Sequence, residues 1–173
     1  MTDPEFHRYL RAKRTVDDRA LAKDLLDRLA AGLERRADAK GESLRILEIG
    51  AGIGTMIERF VEWDVLPAGE VQYTAVDVDG SNVRAMRRGL PSWATDRGLT
   101  VSGDETLVLT CEDRSLTVDP VHMEATRFIE SRDAEEQYDL LVGAALLEVL
   151  GLDRLPTLLS TVAQGGFAYF PIT

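Results

Sequence analysis

The segment Leu47-Glu48-Ile49-Gly50-Ala51-Gly52-Ile53-Gly54 is where the chemistry of this chain concentrates. Glycines at alternate positions follow a β-prone run and precede a helix-like one. Glycine adopts positive φ freely and lets a ligand approach the main chain closely. The helix that follows adds free N–H groups at its first turn. The spacing is Gly-x-Gly-x-Gly, whereas the dinucleotide fingerprint asks for Gly or Ala where this chain has Thr55. Glu48, two residues before the first glycine, would repel a pyrophosphate. A ligand with a positive centre, or with hydroxyl and amino donors, tolerates it. The plainer readings are a tight turn that needs glycine for its shape and an exposed acid at a strand end.

A second signal is Asp77, closing the run Val71-Gln72-Tyr73-Thr74-Ala75-Val76-Asp77. Ligands of open parallel sheets bind outside the carboxyl ends of the strands, where strand order reverses. An Asp there can accept hydrogen bonds from both hydroxyls of a ribose. Asp79 either shares that task or caps the helix after Asp79-Gly80. The two histidines offer less: His122 reads as structural and His7 as solvated. Neither has a Cys or His neighbour at metal-ligand spacing, and no nucleophile elbow is present. The sequence names no catalytic residue and no metal.

These residues need a sheet to position them. Leu44–Ile49 and 71–78 read as strands, each followed by a helix, the second breaking near Pro91. Strand and helix in alternation signal a parallel sheet with right-handed crossovers. Thr106–Thr110 and Ser115–Val118 read as a β-hairpin, near 104–119, inserted before a third parallel strand at Val121–Ala125. Tyr138–Gly143 is a fourth strand. A helix over Leu146–Ala163, interrupted at Gly151, leads through Gly165-Gly166 into a fifth at Phe167–Phe170. Ahead of the sheet, Asp3-Pro4 starts a short helix and Thr15-Val16-Asp17-Asp18 a longer one. The longer one has an apolar stripe of Leu21, Leu25, Leu26, Leu29 and Leu33.

Composition narrows the class. At 173 residues, 45% hydrophobic and 29% charged, the chain fits one globular domain spanning 1–173. We divide it into an N-terminal helical lid, 1–41, and a core, 42–173. Its net charge of −10 argues against a general nucleic-acid binder. One cysteine, Cys111, excludes an internal disulfide. No apolar run is long enough to span a bilayer, and the acidic start lacks a signal-peptide pattern, so the expected location is cytoplasmic.

Taken in order, these segments resemble the class I S-adenosylmethionine-dependent methyltransferases. The glycine segment is similar to that family's first motif and Tyr73–Asp79 to its second. Met123-Glu124-Ala125 is similar to the third, Tyr138–Gly143 to the fourth strand, and Gln164-Gly165-Gly166-Phe167 to the glycine turn before the fifth. The resemblance covers about residues 44–173. It implies a Rossmann-like α/β fold, a doubly wound, mainly parallel sheet of order 3-2-1-4-5. It also implies S-adenosylmethionine as cofactor and methyl transfer as the activity. Carried over by position, Gly50, Ala51 and Gly52 pass close to the methionine part, and Glu48 organises that loop. Asp77 holds the ribose and Val78 packs on the adenine. Glu124 and the backbone of Ala125 read the adenine edge, a surface role being the alternative for Glu124. Ala144 lines the methyl-transfer opening.

The segment Gly143–Glu148 lacks the Asn-Pro-Pro-Tyr pattern associated with amino-group methylation, which points to a small-molecule acceptor. The family's last two strands are missing from this chain. The expectation is a fragment of a longer protein, with a reduced version of the fold as the alternative, or a partner, a two-fold homodimer, covering the fifth strand. A lid role for residues 3–37 makes Lys13, Arg14 and Arg19 candidates for the cofactor's carboxylate, a solvated basic face being the alternative. Two other classes stay open: a non-catalytic relative that binds the cofactor or a partner, and a nicotinamide-dependent oxidoreductase.

Overall fold

The computed structural model describes residue 18 and residues 21–133, 135–144 and 152–171. The helix start at Asp3-Pro4, the Thr15–Asp17 part of the second start, and 145–151 lie outside the described residues. Helix α1, Lys23–Lys40, ends at Gly41, whose φ of 63° suits glycine and whose amide bonds Ala37 O. Leu26, Leu29 and Leu33 are buried on it, and Leu21 just before it. Leu25 is 50% exposed, because it stands at the margin of that buried arc.

The sheet follows. In chain order its elements are β1 (Leu44–Ile49), α2 (Thr55–Glu62), β2 (Gly69–Asp77), α3 (Gly80–Asp96), β3 (Thr100–Ser102), β4 (Leu107–Cys111) and β5 (Arg114–His122). Then come α4 (Ala125–Ser131), β6 (Tyr138–Val142), a short 3₁₀ turn at Leu152–Arg154, α5 (Leu155–Leu159) and β7 (Val162–Tyr169). The seven strands lie in the order β3-β4-β5-β2-β1-β6-β7. Strands β5, β2, β1, β6 and β7 are mutually parallel, giving the 3-2-1-4-5 order expected of the parallel set. Strands β3 and β4 extend one edge antiparallel.

Three boundaries differ from the sequence reading. The hairpin is present, but its second arm and the third parallel strand are one strand, β5, running through Pro120. Its ladder with β4 stops at Val118, so the donor that Pro120 lacks is not needed on that side. Helix α3 continues past Pro91 to Asp96, because Trp93 and Ala94 bury beyond the proline. Strand β7 begins at Val162, before Gly165-Gly166. The glycines form an irregularity inside it, where pairing with β6 shifts between Tyr138 and Leu140.

Side-chain alternation splits the core between the two faces of the sheet. Ile46, Tyr73 and Ala75 pack with Leu33, Phe60 and Met86 under α1, α2 and α3. Leu47, Ile49, Val76 and Leu141 pack with Ala125 and Leu158 under α4 and α5. Each large apolar side chain so buried contributes roughly 1.5–3 kcal/mol. Helix α1 rests on the β6–β7 side of its face. A Cβ at Gly32 would meet the Phe167 ring at 2.7 Å. Arg36 and Lys40 of α1 bond Asp139 of β6 at 2.6 and 3.0 Å. No described helix is long and apolar enough to cross a membrane.

Candidate functional site

At the carboxyl ends of β1, β2 and β5 the fold brings the chemical residues to one edge. Strand order reverses between β1, whose neighbour β2 follows it in the chain, and β6 on its other side. The glycine turn folds back over β2: the amides of Gly50 and Ala51 both donate to Val76 O, at 2.8 and 3.0 Å. Gly52, at φ 58°, turns its amide onto Asp77 Oδ2, 2.7 Å away. Gly54, at φ 88°, has a packing role as well, since a Cβ there would meet Met86 Cγ at 2.9 Å. The alternate glycines therefore do different work.

Asp77 is 7% exposed and is the hub of this edge. Besides Gly52, its carboxylate accepts from the Asp79 amide at 2.8 Å and from Asn82 Nδ2 at 3.2 Å. Its own carbonyl accepts from Met123, tying the ends of β2 and β5 together. Val78 follows with its side chain 68% exposed. Asp79 caps α3 through Ser81 N at 2.8 Å, which is its capping reading. His122 sits under Gly80 and meets Val78 O at 3.1 Å, a structural placement.

Glu48 is not an exposed strand-end acid; it is 2% exposed on the α2 face of the sheet. Its Oε2 accepts from Tyr73 Oη at 2.8 Å, so its bond goes to β2 and not to a loop amide. Burial pushes its pKa up to about 8, against the opposing Tyr73 hydrogen bond and Arg59 charge, with the Asp77 charge adding to the rise. The Tyr73 hydroxyl is pushed up as well, first by burial and then by Glu48.

Arg59 of α2, 4% exposed, donates from Nε to Asp18 Oδ1 at 2.6 Å. Sequence reading missed it. The signal was available: Arg59 lies three residues after Met56 and one before Phe60, on the helix face that buries. Asn82 was missed too, five residues beyond Asp77 on the first turns of α3.

The third-motif residues reach the same edge with other tasks visible. Glu124 caps α4, its Oε2 accepting from Arg127 N at 2.9 Å. Hydrogen bonds from the Thr126 and Arg127 amides hold its carboxyl below the usual range. Ala125 begins α4 and is buried. Ala144 follows β6, where Gly143 N bonds Tyr169 O at 3.1 Å. A groove of about 580 Å³ between α2 and α3 is lined by Ile53, Thr55 and Trp93.

No protein-family description and no curated protein matches the chain. Among solved structures, it is similar to the bifunctional kinase-methyltransferase WbdD, with a TM-score of 0.50 at 16% identity, over 82% of this chain and 26% of that one. It is also similar to the plantazolicin methyltransferase BpumL in complex with SAH, with a TM-score of 0.46 at 10% identity, over 94% of this chain and 51% of that one. At these identities the likeness to WbdD bears on the fold, a Rossmann-like methyltransferase fold. The chain spans about a quarter of WbdD and half of BpumL.

Proposed function

We propose that this chain binds S-adenosylmethionine across the ends of β1, β2 and β5 and transfers a methyl group to a small-molecule acceptor. The observation that carries this reading is the Asp77 carboxylate at the carboxyl end of β2, one strand from the switch of strand order. The Gly52 amide lies 2.7 Å from it and the apolar Val78 side chain is open to solvent beside it. A diol-bearing ribose and an attached base ask for that combination. Asn82 Oδ1, buried beside Asp77 without a hydrogen-bond partner among the described residues, fits a ligand donor too.

When bound, the cofactor supplies a methyl group on a sulfonium, a centre with a good leaving group. The chain's own residues bind and orient. Gly50, Ala51 and Gly52 keep side chains other than a methyl out of the methionine end. Asp77 accepts from the ribose, Val78 covers one adenine face, and Glu124 and Ala125 border the adenine edge. Ala144 borders the opening to the acceptor. Holding a nucleophile in line with a methyl group supplies much of the acceleration, so no further catalytic group is required. We propose in addition that residues 1–41 act as a lid, a reading supported by the bond from Arg59 of α2 to Asp18. We place the protein in the cytoplasm.

Calorimetry with S-adenosylmethionine, S-adenosylhomocysteine and NAD tests this reading. The expected result is binding of the first two and none of NAD. Equal affinity for NAD and S-adenosylhomocysteine would remove the basis for the choice.

A second reading, cofactor or partner binding without turnover, draws on β7. Among the described strands it is one of the sheet's two edges, and Ala168 on it is exposed. An uncovered edge templates pairing with another chain, and an isologous two-fold dimer would cover it. Light scattering over a concentration range distinguishes a dimer from a monomer.

A further inference from the structure

We infer that Asn82 is a ligand-reading residue of the Asp77 site, its side-chain carbonyl accepting one hydroxyl of a vicinal diol while Asp77 accepts the other. This rests on the reading of the site as one for a ribonucleoside-containing cofactor.

The argument is an accounting of lone pairs. A carboxylate offers about four acceptor positions, two on each oxygen. Asp77 Oδ1 already accepts from Asp79 N at 2.8 Å and from Asn82 Nδ2 at 3.2 Å. Oδ2 accepts from Gly52 N at 2.7 Å. Asp77 therefore has one position left for a ligand donor. It cannot take both hydroxyls of a ribose, as its type and place alone suggested, unless one of these backbone contacts is given up.

Asn82 provides the missing acceptor. A carboxylate only accepts, so the Asn82 NH₂ must face Asp77 and its Oδ1 must face away; a flipped amide would set oxygen against oxygen. That Oδ1 is buried without a hydrogen-bond partner among the described residues, in a residue 8% exposed. Buried acceptors are almost always satisfied, and an exception calls for a physical reason. The Asn82 main chain is held in place. Asn82 N bonds Asp79 O at 2.9 Å, and the Asp79 cap fixes the first turn of α3. A hydroxyl of a bound diol is the donor this arrangement lacks.

The test is calorimetry of S-adenosylhomocysteine and its 2′-deoxy and 3′-deoxy forms on the full chain and on Asn82→Ala. Thermal unfolding checks that the variant is folded. For the unmodified chain, loss of either hydroxyl weakens binding about tenfold, the scale of one hydrogen bond. In Asn82→Ala, one of the two deoxy forms binds as well as the parent compound, and the other still loses its factor. If both hydroxyls keep their full effect in the variant, Asn82 only orients Asp77 and the inference is overturned. An unmodified chain that binds the parent compound but ignores both hydroxyls overturns it as well. Failure of the unmodified chain to bind any of the three overturns the cofactor reading itself, without reference to Asn82. Should Asn82→Ala not fold, Asn82→Leu fills the same volume and is read in the same way.

Discussion

Two carboxyl groups, Asp139 in β6 and Glu48 in β1, are almost equally buried and are handled in opposite ways. Burial would raise Asp139, but the Arg45 amide, Arg36 and Lys40 outweigh it and hold its pKa below the ordinary value. Glu48 meets one hydroxyl, and its pKa rises to about 8. The difference follows the sheet. Asp139 is the second residue of β6, at the amino end, where α1 and β1 both deliver donors to it. Glu48 is next to last in β1, at the carboxyl end, beside the glycine turn. The amino edge anchors a helix with a saturated ion cluster. The carboxyl edge keeps groups that the fold alone leaves underused: a carboxyl whose pKa burial raises, an exposed valine and an amide carbonyl without a hydrogen-bond partner among the described residues.

The largest expected effect breaks the anchored side of this comparison. Asp139→Ala removes the acceptor of the Arg45 amide, leaves Arg36 and Lys40 only their bonds to the Gln164 and Ser43 carbonyls, and should cost about 3 kcal/mol by denaturant unfolding. Asp139→Asn, which keeps an acceptor, should cost less. The pH sign follows from the lowered pKa. The Asp139 contribution is present above the carboxyl's unfolded value and is lost as pH falls through the folded one. An Asp139→Ala chain as stable as its parent at pH 7 would show that α1 is held by its leucines alone.

Glu48→Gln inverts the pattern. With the folded pKa raised from 4.5 to about 8, the folded state binds the extra proton between those values, so stability falls as pH rises through that window. Glutamine can still accept from Tyr73 but cannot ionise. The variant should match its parent at pH 4 and exceed it at pH 8 by up to about 4 kcal/mol. Parallel stability curves for the two proteins would place the charged form of Glu48 in a compensated environment.

At the ligand edge, Asp77→Ala should weaken S-adenosylhomocysteine binding by about 1.5–3 kcal/mol, the range for a charged acceptor losing its partners. Asp79→Ala should do less, because its carboxylate is engaged by Ser81 N. A dominant effect of Asp79 in titration would reverse the roles assigned to the two acids.

How far this edge was legible in the sequence depends on the range of the interaction. Asp77 was readable because a strand end and a sheet rule place it without knowledge of any partner. The parallel set was readable from the alternation of strand and helix, and its order came only with the family resemblance. Strand β5 was not read whole, because Asp119-Pro120 looks like a break until β4 is known to stop at Val118. Arg59 and Asp18 are 41 residues apart, and no local pattern announces their pairing. Asn82 was hidden for a subtler reason. Its importance lies in which lone pairs of Asp77 are already filled, and that is known only once the Gly52 and Asp79 amides are in place.

The smallest expected effect concerns Glu124, where two roles compete for one carboxylate. The role proposed for it from its motif position is at an adenine edge; in the structure Oε2 accepts from Arg127 N and caps α4. Helix α4 is only seven residues long, so its cap satisfies a large share of its free amides. Glu124→Ala should therefore lower stability by about 1 kcal/mol, the usual worth of a cap. Glu124→Gln keeps an acceptor for the cap while removing the charge, and should recover most of that loss. Ligand affinity separates the roles. A capping carboxylate that also meets the base loses affinity in both variants, by a few-fold at most, since one oxygen is already engaged. If calorimetry finds both variants binding S-adenosylhomocysteine as the parent does, Glu124 belongs to the helix alone. The base would then be read by the backbone at Ala125 and the face of Val78.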